Sequence, residues 1–192
     1  MQFVSSFRHG FGLLSHLNPN GTYTLEYRGD WIRGKPEGIG WRYYANGDAY
    51  LGFWKAGERE GFGNMWYANN TIYVGYWING KKEGLGLLVF QNGNRYEGHW
   101  ENDEKHGFGR FYHMHTGQLQ EGCWHEGVCV KSKITDIEIR QFCDHPTPYP
   151  IPKVIFTLIY IKSNYVITYW KDVTCTAFAN QLTRSSTDQS NK

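Results

Sequence analysis

Five side chains that are common zinc ligands fall within 17 residues of one another in the second half of the chain. Thiolate and imidazole donors bind zinc in tetrahedral sets, and structural zinc sites show short, regular spacings between these donors. The spacing here matches no standard zinc finger. The five side chains belong to His113, His115, Cys123, His125 and Cys129.

Strand geometry also argues against a metal site at these residues. A two-residue turn at Thr116-Gly117 would pair His113 with Gln120 on the next strand. Successive side chains of a strand point to opposite faces. Both histidines before the turn would therefore lie on the face opposite to Cys123 and His125. The sequence predicts no bound metal, and no motif in it indicates another cofactor.

Paired glycines with the spacing Gly-x-Gly resemble part of a nucleotide-binding loop. A dinucleotide loop needs a third glycine and a position between a strand and a helix. Each pair here runs into strand-like sequence and recurs at a fixed step, so a structural role is predicted for all of them. The pairs are Gly38/Gly40, Gly61/Gly63, Gly84/Gly86 and Gly107/Gly109.

The acids and nucleophiles of the sequence form no catalytic arrangement. No Gly-x-Ser-x-Gly motif occurs, and no cysteine has the context of a protease nucleophile. The carboxylates lie in or near predicted turns, mixed with lysine and arginine, so we expect a solvated edge of alternating charge. Catalysis needs convergent groups in a pocket that excludes water, and the chain is therefore predicted not to be an enzyme. The carboxylates are Glu58, Glu60, Glu83, Glu101, Asp103 and Glu104.

A Tyr-x-Gly-x-Trp signature that recurs every 23 residues is the strongest feature of the chain. Tyrosine, glycine and tryptophan alternate with other residues, so they share one face of a strand. A fixed short period is typical of a repeat array, which presents a surface rather than enclosing a reaction. Four copies begin at Tyr27, Tyr50, Tyr73 and Tyr96, and a decayed fifth begins at Gln120.

Turn residues separate the strands of each copy. Asn46-Gly47, Asn69-Asn70 and Asn92-Gly93 are predicted to be two-residue hairpin turns in which both residues have positive φ. The sequence therefore predicts an all-β fold, an elongated single-layer antiparallel meander with two strands per copy. The predicted parts are a lead-in (1–7), a half copy (8–26), four copies (27–49, 50–72, 73–95 and 96–119), a degenerate copy (120–130), a proline-rich linker (131–153) and a tail (154–192).

The signature aromatics are predicted to form a ladder along one face of the sheet. Glycine beside a ring lets the ring lie flat against the backbone. We expect the ring faces to hold the sheet together, while ring edges and the OH and NH groups stay available to a partner protein. The alternative is that the rings are simply the core. The predicted protein-binding groove consists of Tyr27, Trp31, Tyr50, Trp54, Tyr73, Trp77, Tyr96 and Trp100.

Charge and cysteine content narrow the classes of function. The chain has a net charge of +2, and residues 27–126 contain 11 Lys+Arg against 12 Asp+Glu, or −1. Nucleic-acid binding through a broad cationic face is therefore not expected. All four cysteines lie in the last 70 residues, unlike the even spread of a secreted disulfide scaffold, and residues 1–7 contain no apolar signal segment. These features favour the reducing cytoplasm.

The extended motif Tyr-x-Gly-x-Trp-x-x-Gly-x-x-x-Gly-x-Gly resembles the membrane occupation and recognition nexus (MORN) repeat. The resemblance covers the chain from Arg8 to about Val128. It implies a small non-enzymatic protein associated with cilia, flagella or developing sperm, located in the cytoplasm, the cilium or the acrosomal vesicle. We expect a scaffold or adaptor that binds partner proteins through the aromatic groove.

The alternative function is that of a peripheral membrane tether. Recognition of anionic lipid needs several lysines or arginines on one surface, and the densest basic spot is Lys81-Lys82, followed at once by Glu83. These two lysines are the possible lipid contacts. The apolar stretch 154–170 is interrupted by Lys162-Ser163-Asn164, so it is not expected to cross a bilayer.

Overall fold

The computed structural model of the chain describes residues 2–4, as backbone, and residues 7–137. These residues form β-strands joined by turns and contain no helix. The predictions for the tail and for most of the proline-rich linker lie outside the described residues. The strands are β1 (Gln2–Val4), β2 (Phe7–Leu17), β3 (Tyr23–Ile32), β4 (Lys35–Tyr43), β5 (Ala49–Lys55), β6 (Glu58–Trp66), β7 (Ile72–Ile78), β8 (Lys81–Val89), β9 (Arg95–Glu101), β10 (Glu104–His113), β11 (Gln118–His125) and β12 (Val128–Asp136).

The described residues fall into two compact units. The first contains β1 to β8 together with Glu101–Asp103, and the second contains residues 92–100 and 104–137. Within the first unit each strand pairs antiparallel with the next along the chain. In the second, β10 pairs with β11 and β11 with β12, also antiparallel. The predicted all-β antiparallel meander is confirmed.

One boundary differs from the prediction. Strand β12 extends to Asp136 and pairs along β11, so residues 131–136 belong to the sheet and not to a linker. The segment Val128–Asp136 contains the β-branched residues Val128, Val130, Ile134 and Thr135, which are enriched in strands.

The tight two-residue turns lie at the opposite ends of the strands from the Asn-Gly pairs that were predicted to form them. At Asn46-Gly47 only Gly47 has a positive φ, of 90°, and the loop is closed by a bond from the Tyr44 N–H to the Asp48 carbonyl. The turns with two positive-φ residues lie at the other ends of the strands, as at Ala56 (51°) and Gly57 (93°). The Asn46 side chain instead accepts the Asp48 N–H at 3.1 Å, a local bond that favours a wider turn.

The two glycines of each Gly-x-Gly pair have different roles. Gly61 has a φ of +78°, which glycine adopts without a steric penalty, and it lies where the register between β5 and β6 shifts. Gly63 is extended and pairs with Gly52 on one side and Gly75 on the other. In the first unit, this pairing continues into an unbroken row of glycines across seven strands: Gly12, Gly29, Gly40, Gly52, Gly63, Gly75 and Gly86.

The first two strands show how the array starts. In β1 and β2, Phe3 pairs with Arg8, just as Trp54 pairs with Arg59 further along the chain. Phe3 therefore occupies the register position that tryptophan holds in later copies. On this side of β2, the described residues contain no strand opposite Gly10–Leu17.

Candidate functional site

The predicted ladder exists, and its rings meet edge to face. Tyr50 contacts Trp54 of its own copy, with ring centroids 5.2 Å apart and planes at 88°, and Trp77 of the next copy at 5.4 Å and 85°. Tyr27 packs between Trp31 and Trp54 in the same way. This T-shaped geometry is favourable for aromatic pairs, and it joins each repeat to its successor.

The glycine row gives the tyrosine rings their place. A Cβ on Gly52 would lie 2.6 Å from the Gly63 Cα and against the Tyr50 phenol. Gly75 would meet Tyr73 in the same manner, with the hydroxyl oxygen 2.5 Å from the added carbon. Each tyrosine therefore lies flat on two paired glycines, and any side chain at those positions would displace the ring.

The polar atoms of the ladder are bonded inside the protein. The Tyr50 hydroxyl donates to the Phe53 carbonyl at 3.2 Å, and the Trp77 Nε1–H donates to the Gly63 carbonyl at 3.2 Å. Tyr27, Tyr73 and Tyr96 donate equivalent bonds. Burial is the main cause that raises the pKa of Tyr50 and of Tyr73 above the ordinary phenol value, so the hydroxyls stay protonated donors.

These observations correct one part of the predicted groove. Its ring edges, OH and NH groups are not available to a partner, since the four tyrosines have no exposed surface and the four tryptophans are at most 5% exposed. The rings are the core of the sheet, as the alternative interpretation stated. The residues concerned are Tyr27, Trp31, Tyr50, Trp54, Tyr73, Trp77, Tyr96 and Trp100.

A cation completes the cover of the ladder. The Arg59 guanidinium lies 4.2 Å from the Trp77 ring centroid and donates to the Gly80 carbonyl. Arg8 lies 4.4 Å from the Trp31 ring in the same way. Such a cation–π contact both shields the ring and stabilises the charge. The position recurs along the sequence, where it is occupied by Arg8, Pro36, Arg59, Lys82 and Lys105.

The two lysines proposed for lipid contact are engaged within the first unit. The Lys81 ammonium donates to Asn102 Oδ1 at 3.1 Å, and the Lys82 ammonium lies 3.9 Å from Asp103 Oδ1. Burial lowers the pKa of Lys82, an effect that the Asp103 carboxylate opposes and the Arg59 charge reinforces. Lys82 is therefore a packing residue of the ladder more than a free surface charge.

Some carboxylates near the turns make a second set of contacts that recurs in each copy and that was not predicted from the sequence. Glu37, Glu60 and Glu83 each accept a backbone N–H from the turn one hairpin further on, at 2.9 to 3.1 Å. The residues that donate have positive φ values near 50°. These clamps tie successive hairpins together, so the carboxylates are not simply a solvated edge. The signal was their recurrence every 23 residues.

The other side of the first unit's sheet, which we call the open face, is where large apolar side chains meet solvent. One row of paired residues across the strands runs Leu13, Arg28, Trp41, Leu51, Asn64, Val74 and Leu87. Flanking rows on the same side place Ile39 opposite Phe53 and Phe62 opposite Tyr76. The open face thus consists of the residues that alternate with the ladder and the glycine row.

Exposure separates the open face from the ladder on β2 to β6, whereas Val74 on β7 is only 6% exposed. Phe53 is 47% exposed, whereas its neighbour Trp54 is 5% exposed. Phe11, Leu13, Ile39 and Tyr43 are between 40% and 56% exposed. On the same face Trp41 stacks on Trp66, with ring centroids 5.2 Å apart and planes at 12°. Together these side chains form an apolar, aromatic surface without a covering layer among the described residues.

One polar side chain lies in the middle of this surface. Asn64 pairs with Leu51 on one side and with Val74 on the other. Its Oδ1 is buried and has no hydrogen-bond partner among the described residues. An unsatisfied buried acceptor costs about 1–3 kcal/mol, so this position is unfavourable for the isolated fold.

The five side chains considered as candidate zinc ligands do not converge. Residues 114–117 form a four-residue loop, so His113 pairs with Gln118 and not, as predicted, with Gln120. A shift of two residues does not change the face on which each side chain lies, so His113 and Cys123 are on opposite faces of the sheet. The His113 ring instead bonds the Gln120 side chain at 2.9 Å. Between residues 7 and 137 no group of three or more His, Cys, Asp or Glu is placed to hold a metal ion.

The fold and its periodic contacts define a β-hairpin repeat protein. The pattern of the MORN repeat matches four consecutive segments of the chain, residues 27–49, 50–72, 73–95 and 96–113. These four segments are therefore similar to the MORN repeat, and the first three have the same bounds as the copies predicted from the sequence. A comparison of the sequence with curated proteins found no match.

Similarity to solved structures is low. One match is the TCP domain of SAS-4 (dCPAP) of Drosophila melanogaster, in a complex with a proline-rich motif of Ana2 (dSTIL). Its sequence identity is 17% and its TM-score 0.33, over 57% of this chain and 63% of that one. The chain thus spans less than two thirds of that domain, and this similarity carries no argument about function.

Proposed function

We propose that this protein is a non-catalytic scaffold whose open face binds partner proteins. The single observation that carries the proposal is the exposure of large apolar side chains on one face of the first unit, with Phe53 at 47% and Leu13 at 56%. Soluble proteins rarely leave such contiguous apolar surface uncovered unless it is used in an interaction. MORN repeats are in general modules for protein or membrane contact.

The composition of the face suits a protein partner. Aromatic residues are enriched in protein interfaces and supply much contact area for little loss of conformational freedom. Tyr43 and Trp66 both stack on Trp41, so the three rings are already held in place before a partner arrives. Preorganised rings lose less entropy on binding.

Resemblance supports a place in cilia, flagella or developing sperm. The segments Asn94–Trp100 and Gly107–His113 resemble MORN repeat-containing protein 3, which implies that setting. We extend it to this chain as a proposal, with the cytoplasm, the cilium or flagellum and the acrosomal vesicle as the locations to examine.

Contact with anionic phospholipid has less support from the geometry. Both lysines of the densest basic spot are bonded within the first unit, and several free cations on one surface would be needed. The described residues include no helix long and apolar enough to cross a membrane. A tether would therefore depend on residues other than Lys81 and Lys82.

Affinity capture with matched variants tests the proposal. The full chain is immobilised and incubated with an extract of ciliated cells, and captured proteins are quantified by mass spectrometry. We expect Phe53→Glu on the open face to lose at least fivefold of specific capture, and Ile134→Glu to retain it. Ile134 is 54% exposed, and it lies on β12 in the second unit, outside the open face.

Two results would count against the scaffold. Equal capture by the wild type and Phe53→Glu would remove the open face from the interaction. Salt-sensitive sedimentation of the purified chain with phosphatidylserine vesicles, absent with neutral vesicles, would favour the membrane tether instead.

A further inference from the structure

The open face of the first unit lacks a second layer. A sheet with one apolar face is normally covered by another sheet or by helices, and two stacked sheets lie about 10 Å apart. The described residues supply neither, since Ile39 and Phe53 in the middle of this face are each 47% exposed. Something outside these residues must cover the face if it is to be buried.

We propose that the open face is covered by the open face of a second copy of this chain, related to the first by a two-fold axis. This inference rests on the proposed function, because it names the partner that the open face binds. Closed two-fold dimers are the most frequent form of soluble oligomer, and such an interface uses the same patch on both subunits.

The charge of the face is the first argument for a second copy. Its central part, from β4 to β7, presents side chains such as Trp41, Leu51, Phe62 and Tyr76 and no charged group between them. An acidic or basic partner would find no counter-charge there, and a lipid headgroup or nucleic acid would find none either. An equally uncharged apolar face is the complementary surface.

The size of the face is the second argument. A standard interface buries about 800 Å² on each partner, and each large aromatic side chain can bury on the order of 150–250 Å² in total. The face offers half-buried or exposed rings and aliphatic groups from five strands, β2 and β4 to β7. The largest are Phe11, Trp41, Phe53, Phe62, Trp66 and Tyr76.

The Asn64 side chain is the third argument, and it locates the two-fold axis of the dimer. Its carboxamide lies in the central apolar row, and its oxygen has no donor among the described residues. A two-fold axis beside Asn64 brings the same carboxamide of the other copy to it. After rotation about the side-chain bonds, each amide group donates to the oxygen of its counterpart. A single buried asparagine fixes register in the same way in coiled coils.

Sedimentation velocity of the purified full chain gives the primary test. As the protein concentration rises from about 1 to about 100 µM, a range that spans common dimer affinities, we expect the 22.4 kDa chain to shift from a monomer to a species of twice that mass. Phe53→Glu is expected to weaken dimerisation at least 30-fold. Ile134→Glu, in the second unit and outside the open face, should leave it unchanged.

Two further variants keep the test valid if Phe53→Glu fails to fold. Ile39→Lys alters the residue paired with Phe53 and should weaken the dimer to a similar degree. Asn64→Cys should form an intermolecular disulfide between the two introduced cysteines within minutes of mild oxidation. Ile134→Cys, as the matched control, should cross-link no faster than the native cysteines.

The results separate this inference from the proposed function. A chain that stays monomeric at the highest concentration overturns the inference, as does a dimer that Phe53→Glu and Ile39→Lys leave intact. Cross-linking of Asn64→Cys no faster than that of Ile134→Cys would remove the axis from Asn64. If the chain is monomeric while Phe53→Glu still loses captured proteins, the scaffold stands and only the second copy is wrong.

Discussion

The two faces of the first unit carry similar aromatic residues, yet one face is closed and the other is open. Trp77 on the ladder is 1% exposed, whereas Phe53 on the open face remains half in solvent. The difference lies in the backbone opposite the rings. Tyr50 lies on two glycines that leave space for it, while Trp41 and Leu51 are paired with each other. Burial in a single sheet is thus decided by where the glycines are.

The faces also differ in how their polar atoms are satisfied. On the ladder, the Tyr50 hydroxyl and the Trp77 Nε1–H both bond backbone carbonyls. On the open face, the Asn64 oxygen has no partner among the described residues. A complete set of internal bonds is typical of a core, and a missing bond on an apolar surface indicates a site that is completed by something else.

Truncation of one tryptophan on each face should give the largest contrast. Trp77→Ala removes a buried ring and should lower the free energy of unfolding by about 3–5 kcal/mol. Trp41→Ala removes a ring that is part exposed and should cost about 1–2 kcal/mol, because less surface leaves the interior. Urea denaturation of the monomer measures both. Equal losses would erase the distinction between the two faces.

A methyl group on the glycine row should come next. Gly52→Ala places a carbon 2.6 Å from the Gly63 Cα, and overpacking of this kind costs about 1–3 kcal/mol. Leu51→Gly, one residue away on the open face, removes contacts without creating a clash. If Gly52→Ala has an unchanged urea midpoint, the rings do not depend on the row.

Alkaline pH should weaken the fold through the buried tyrosines. Burial is the main cause that raises the pKa of Tyr67 to about 12, and it raises the pKa of Tyr50 and Tyr73 further. In the unfolded chain a phenol ionises near pH 10. Stability is therefore complete below about pH 10 and falls as the pH rises toward the folded values, by up to about 1.4 kcal/mol per pH unit for each group.

Urea midpoints at pH 8, 10 and 11 check this dependence. Tyr23, which is 74% exposed, provides the control, since Tyr23→Phe should leave the profile unchanged while Tyr73→Phe should flatten it. A stability that stays constant from pH 8 to pH 11 would show that the ladder phenols are open to solvent.

Loss of one hairpin clamp should have the smallest effect. Glu60→Ala removes the acceptor of the Asn79 N–H, a bond of 3.0 Å near the surface. A cost of about 0.5–1.5 kcal/mol is expected for one such hydrogen bond. Glu58→Ala, an exposed carboxylate two residues earlier, should cost less. A larger effect for Glu58→Ala would show that the clamps are incidental.

The period predicted the fold and the ladder, because the step of 23 residues brings Tyr50 and Trp77 to one face. It could not tell which apolar face is closed, since Phe53 and Trp54 are adjacent in the sequence and equally hydrophobic. That depends on the glycine row, which exists only when the strands are paired. The clamp of Glu60 on Asn79 likewise requires the structure, because it joins residues 19 apart.

The turn types also could not be predicted from the sequence, because they depend on hydrogen bonds and strand register in the folded sheet. Asn46-Gly47 has the composition of a tight hairpin, but the bond from the Asp48 N–H to the Asn46 side chain stabilises a wider loop. Ala56-Gly57 has a less typical composition, yet both residues adopt positive φ because the register of β5 and β6 leaves only two residues between them.

Hydroxyl-radical footprinting of the monomer at submicromolar concentration compares the two faces most directly, because each side chain reports its own exposure. We expect rapid oxidation of Phe53 and Phe11 and slow oxidation of Trp54 and Trp77, although tryptophan is intrinsically the more reactive residue. Rapid oxidation of Trp54 and Trp77 with protection of Phe53 would instead show that the aromatic ladder is the solvent-exposed face and the open face is the buried one.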